Sequence, residues 1–214
     1  MTDVRKFAKR YLTDMTFRVR VGLYGSLLVN LIFAAMKFIS ALLYDSLWFG
    51  AVAAYYAILG ILRFLLLRQM RQEDGDMQQA WRKYRLCGGI LIALNLVLAV
   101  IAVQMIRDGK GVYYPGVLIY AAAAYTFYAL TAVVVSVVRY RGQHGPVLSA
   151  VRTISLSAGL VSIFSLQTAM FSSFGGGEAL RYTMNLLTGS GVCMIVFVIA
   201  VYMVTSGTRM LKQK

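Results

Sequence analysis

The stretch Leu28–Leu67 reads LVNLIFAAMKFISALLYDSLWFGAVAAYYAILGILRFLLL. Two apolar runs are separated only by the turn Tyr44-Asp45-Ser46. A hydrocarbon core about 30 Å thick takes roughly 20 apolar residues of helix to cross. Each run is long enough, so the stretch is a helical hairpin that crosses a membrane twice. The rest of the chain is built in the same way. Of its 214 residues, 59% are hydrophobic and 14% charged. Soluble domains average roughly 45–50% and about 25%. The spacing predicts spans at about Val21–Leu43, Ser46–Leu67, Leu86–Ile106, Gly116–Val138, Val147–Phe171 and Tyr182–Val204. The expected class is all-α, a six-span polytopic membrane helix bundle. Residues 1–20 form a basic amphipathic helix, 21–206 the membrane domain and 207–214 a basic tail.

The formal net charge is +14. In a soluble protein that would suggest nucleic acid. Here the basic residues crowd into the N-terminus, the loops after spans two and four, and the C-terminus. The other three connections hold only Arg107, Lys110 and Arg181. That asymmetry is a positive-inside bias, which puts both termini in the cytoplasm. It makes the bilayer the partner and nucleic acid an unneeded one. A bacterial source would put the protein in the inner membrane. Val4, Phe7, Ala8, Tyr11, Leu12 and Met15 recur at helical spacing, with Arg5, Lys6, Lys9 and Arg10 between them. That pattern suits an interfacial helix on anionic headgroups. A plain helical extension packed under the bundle fits it equally well.

Few polar side chains lie within the spans. Asn30 and Lys37 are two turns apart on one face of span one. Lys37 is read either as an anion or headgroup contact, or as a lysine that snorkels or leans on Asn30. Arg63, near the end of span two, is expected to snorkel to the headgroups. Tyr55 and Tyr56, with Asn30, Lys37 and Ser155, make a candidate polar site in the bundle. The tyrosine hydroxyls need partners, for which Asn95, Gln104 and Ser155 are candidates. The group reads as a structural hydrogen-bond cluster or, alternatively, as a small-molecule site. Arg152 makes the start of span five a membrane-surface or partner contact. Gln167, Thr168 and Asn185 could tie spans five and six together. The eight acidic residues all fall in tails, loops or turns, and the one histidine, His144, is in a loop. No span then offers a carboxylate–histidine relay or a ligand set for a divalent ion. Cys87 and Cys193 read as buried free thiols. No phosphate loop or nucleophile–base pair appears, so neither an enzyme nor a cofactor is expected. Phe49–Tyr55 and Leu148–Ile154 echo one another, which would make spans one–two and four–five related hairpins. Chance similarity of two apolar helices accounts for the echo equally well.

Asn30, Lys37 and ALLYDSLWFGAVAAYYAIL (residues 41–59) resemble the first hairpin of the cation diffusion facilitator family. That family carries an Asn and, seven residues on, a Lys before a Gly-Ser-Leu turn; here the turn is Asp45-Ser46-Leu47. Span number and loop order resemble the family from about Val21 to Val204. The resemblance implies a six-span fold and homodimerisation. It also implies metal ligands on spans two and five, where this chain has Tyr55, Leu59, Ile154 and Ala158. The family's cytoplasmic metal-binding domain has no counterpart in the few residues after Val204. The expected function is a non-metal small-solute transporter-like protein, or a membrane partner subunit, on this scaffold. The alternatives are a divalent-cation exporter with unconventional ligands, or a surface-binding module acting through the N-terminal helix.

Overall fold

The structure, a computed structural model, describes residues 15–71, 77–107, 116–139, 145–174 and 177–212. Six helices account for nearly all of them: α1 (Met15–Tyr44), α2 (Leu47–Arg71), α3 (Met77–Arg107), α4 (Gly116–Arg139), α5 (Pro146–Phe174) and α6 (Glu178–Lys212). All six are long and apolar enough to cross a membrane. The chain is an all-helical integral membrane protein. Met15–Arg20, assigned above to an N-terminal helix, continues into α1 without a break. Arg5, Lys6, Lys9 and Arg10 lie outside the described residues, as do the loop around Glu73 and His144. At the other end α6 runs on through Lys212, within the stretch read as a tail.

The hairpin turn is two residues long. Asp45 adopts φ 44°, the left-handed region that ends a helix. The Ser46 N–H then reaches back to the Ala41 carbonyl at 3.2 Å, satisfying a carbonyl that the helix end would orphan. Ser46 in turn opens α2, its carbonyl accepting from the Gly50 N–H at 3.2 Å. A short polar Asp tolerates the left-handed conformation better than any branched residue. Gly145 opens α5 in a similar way, with Pro146 at the first helical position, where its missing N–H costs nothing.

The helices pack as three antiparallel pairs: α1 with α2, α4 with α5, and α3 with α6. The α2 and α5 helices touch each other and form the middle. Of their spans' apolar windows 56% is buried, against 28–39% for the other four. Glycine brings the α3–α6 pair close. A Cβ on Gly88 would stand 2.9 Å from Met203 Cβ and 3.1 Å from the Ala200 carbonyl, and one on Gly207 would stand 3.0 Å from Arg85 Cβ. Between lipid-soluble helices, such close approach substitutes for the missing hydrophobic drive. Cys87 is buried, Cys193 half-buried, and both are free thiols.

The two hairpins repeat in register. Aligning Leu47 with Pro146, the starts of α2 and α5, sets Val52 on Val151, Tyr55 on Ile154, Tyr56 on Ser155, Leu59 on Ala158 and Arg63 on Ser162. Each of these ten residues is buried. The alignment also sets Gly60 on Gly159. Gly60 packs under Leu31 of α1, and Gly159 under Val133 and Leu130 of α4. Leu31 and Leu130 correspond under the same alignment. An odd number of spans separates the two hairpins, so they enter the bilayer from opposite sides.

Candidate functional site

The inward face of α1 is the polar one. Leu23, Ser26, Asn30, Phe33, Lys37 and Ser40 recur at three- and four-residue spacing, and all are buried. The lipid-facing side carries Leu28, Leu31, Ile32, Phe38 and Ile39, all exposed. In a bilayer the polar groups must find protein, so the stripe turns in. It meets α2 and α4 at the centre of the bundle.

Phe33 is the hub there. The Tyr125 ring of α4 stacks on it at 3.9 Å between centroids and 9° between planes. Tyr56 of α2 meets Phe33 edge-on at 5.1 Å and Tyr125 at 4.9 Å. The Tyr125 hydroxyl donates to Asn30 Oδ1 at 2.7 Å, and the Tyr56 hydroxyl donates across to the Ala158 carbonyl of α5 at 3.4 Å. One aromatic group thus links α1, α2, α4 and α5. Tyr125 and Phe33 were not singled out from the sequence. A tyrosine inside the run AAAAYTFYA gives no sign, before the fold is known, that it faces Asn30.

Two cations sit inside. Lys37 is fully buried, with Nζ 5.4 Å from the Phe33 centroid and 4.9 Å from that of Phe49. A desolvated cation–π contact is worth about 2 kcal/mol. Two of them match the roughly 2.5–3.5 kcal/mol that a mid-membrane lysine costs on insertion scales. Neither the snorkelling reading nor the Asn30 reading of Lys37 describes this arrangement, because the aromatic faces hold it instead. Arg63 is also buried, at 3% exposure, although its place two turns before the end of α2 suggested snorkelling. Its Nη1 donates to the Ser26 carbonyl of α1 at 3.1 Å, and Tyr56, Tyr125 and Tyr128 stand within electrostatic reach. Arg63 follows Tyr56 by seven residues on the same helical face. That signal was available in the sequence.

The remaining expected site residues divide. Tyr55 is buried edge-on to Tyr56 at 5.7 Å, but its hydroxyl has no hydrogen-bond partner. It approaches Ser157, whose hydroxyl is likewise unsatisfied. Ser155 is buried on α5. Arg152 lies half-buried near the start of α5, apart from the cluster. Asn95, offered above as a partner for the tyrosines, instead donates to the Cys193 carbonyl at 2.9 Å and helps tie α3 to α6. Gln104 is exposed. Gln167 does tie α5 to α6, donating to the Met184 carbonyl at 3.1 Å, whereas Thr168 bonds within α5. Tyr55, Leu59, Ile154 and Ala158 are all buried in the central α2–α5 layer. Among the described residues no group of three or more His, Cys, Asp or Glu gathers. A groove of about 500 Å³ opens to the membrane between α5 and α6, lined by Ile163, Met170, Phe174 and Met184. None of its lining residues belongs to the central cluster. No protein-family model matches the chain, and no curated protein matches its sequence.

Proposed function

We propose that this is a transporter-like membrane protein for a small non-metal organic solute, built on a cation-efflux-like scaffold. One observation carries the reading: Lys37 and Arg63 are both buried in the bundle, on either side of the Phe33–Tyr56–Tyr125 cluster. Two basic side chains and no acidic one at this level of the described interior offer a dication no ligand and leave neutral or negative solutes favoured. The scaffold is supported by the α1–α2 and α4–α5 hairpins, which repeat in opposite senses around a central α2–α5 contact. Sites at the meeting of such repeats are common in secondary transporters. The positive-inside bias favours cytoplasmic termini. A single cysteine placed at Lys212 should then react with an impermeant maleimide only in inverted vesicles, and reaction in right-side-out vesicles would reverse the orientation.

Flux tests the function. In proteoliposomes loaded with metal indicators, zinc and manganese uptake is expected to equal that of protein-free vesicles. Counterflow of a radiolabelled organic solute panel should find at least one carried above background. Metal-stimulated uptake would replace this reading with a cation exporter. Silence across the whole panel would end the transport reading in favour of a partner subunit.

A further inference from the structure

We infer that Arg63, with Asn30 and the tyrosines around them, forms a binding site for an organic monocarboxylate between α1, α2 and α4. The inference rests on the solute-handling reading and names the chemical class of that solute.

Arg63 is buried, at 3% exposure, and among the described residues its hydrogen bond goes to one acceptor, the Ser26 carbonyl. Its other N–H groups find no acceptor there. Lys37 has two ring faces, but no ring face is found over Arg63 among the described residues. The acidic side chains among the described residues are Asp45 and Glu178, both exposed. Asp45 lies in the turn before α2, eighteen residues from Arg63, and the sixteen residues of helix from Leu47 alone span roughly 24 Å at 1.5 Å per residue. Asn30 adds a second donor. Its Oδ1 is taken by the Tyr125 hydroxyl, which directs Nδ2 away from Tyr125, and Nδ2 is buried with no hydrogen-bond partner among the described residues. Ser26 and Asn30 are one turn apart on the same face of α1, with Cβ atoms about 5–6 Å apart, so the carbonyl that holds Arg63 and the Asn30 amide lie on one side of α1.

An acceptor-rich, negatively charged guest would complete this set. A carboxylate fits best. The guanidinium fork presents parallel N–H donors that match two carboxylate oxygens, and one negative charge balances one positive charge. A phosphate dianion would bring a surplus charge into an aromatic surround. The walls from Tyr56, Tyr125 and Tyr128 suit an organic group rather than a hydrated inorganic ion. Access has a route. The α1 and α4 backbones do not pack closely, unlike each helix with its own hairpin partner. Asn30, Phe33 and Tyr125 close the seam between them. Side-chain rotation there opens the site without parting a helix pair.

The full chain in nanodiscs tests the site. Titration calorimetry with acetate, benzoate and octanoate should find at least one that binds. The matching neutral amide should bind at least tenfold more weakly. Arg63→Gln should weaken the carboxylate at least tenfold, Arg63→Lys should restore part of it, and Arg68→Gln, an exposed arginine on the same helix, should change nothing. If Arg63 variants fail to fold, the wild-type protein still answers. The carboxylate, and not its amide, should protect Arg63 from phenylglyoxal, as read by peptide mass spectrometry. Equal binding of acid and amide, binding unchanged in Arg63→Gln, chloride or phosphate preferred over all three acids, or binding by none of them would overturn the inference. Carboxylate binding without flux would keep the site and remove the transport reading. Flux of a neutral solute unaltered by Arg63→Gln would do the reverse.

Discussion

Replacing Gly88 by alanine lowers the stability of the bundle by about 1–3 kcal/mol, the usual cost of forcing a methyl group into a closed contact. The added Cβ would stand 2.9 Å from Met203 Cβ, 3.0 Å from Val204 Cγ2 and 3.1 Å from the Ala200 carbonyl. One of the three belongs to backbone and one is a Cβ fixed to it, so rotation cannot relieve the clash. The α6 helix must shift as a whole, along the most extensive helix contact in the molecule. Gly89 is the internal control. It is exposed, and nothing lies within 4 Å of its added Cβ. Gly89→Ala is therefore neutral or stabilises by up to about 1 kcal/mol through helix propensity. Thermal unfolding of both variants in one detergent checks the contrast. Equal midpoints would mean that α3 and α6 are not in the described contact.

The second large effect is at the Asn30–Tyr125 pair. Tyr125→Phe leaves Asn30 Oδ1 unsatisfied in the centre of the bundle, and Asn30→Leu does the same to the Tyr125 hydroxyl. Each should cost about 1–3 kcal/mol, the penalty for a buried polar group that loses its partner. The double variant should recover part of that loss. The coupling from the cycle should be about 1 kcal/mol, since interhelical hydrogen bonds in membranes average roughly 0.6 and reach about 1.7. Tyr55→Phe makes the opposite point. Its hydroxyl is buried and has no hydrogen-bond partner, so removing it should leave stability unchanged or raised. A Tyr55→Phe variant as damaged as Tyr125→Phe would contradict the hydrogen bonding described.

The spans were legible because bilayer thickness imposes a length, and an apolar run of that length has few other uses. Helix ends were less so: α3 begins at Met77, well before the apolar run, since a helix can continue past the membrane on charged residues. The inward faces were legible only in part. Where both core and surroundings are apolar, hydropathy does not separate them, and only polar residues mark the inside. Asn30 and Lys37 did so for α1. Tyr55 and Tyr56 were recognised as central, yet Tyr125 and Phe33 were invisible because their role depends on which helix stands opposite. Arg63 was misjudged for a physical reason. Its distance from the helix end permits snorkelling; the face it shares with Tyr56 points inward, and the position of α1 beside it supplies the carbonyl that holds its head there.

Both buried cations ride on the first hairpin, whereas the corresponding positions of the second are Ser136 and Ser162. Moving one elementary charge through a full 100 mV potential changes the free energy by about 2.3 kcal/mol. Displacing α1–α2 along the membrane normal therefore does electrical work, and the mirrored displacement of α4–α5 moves no such charge at those depths. The two hairpins match in their buried positions and differ in the basic residues they carry there, so a potential across the membrane would act on them unequally.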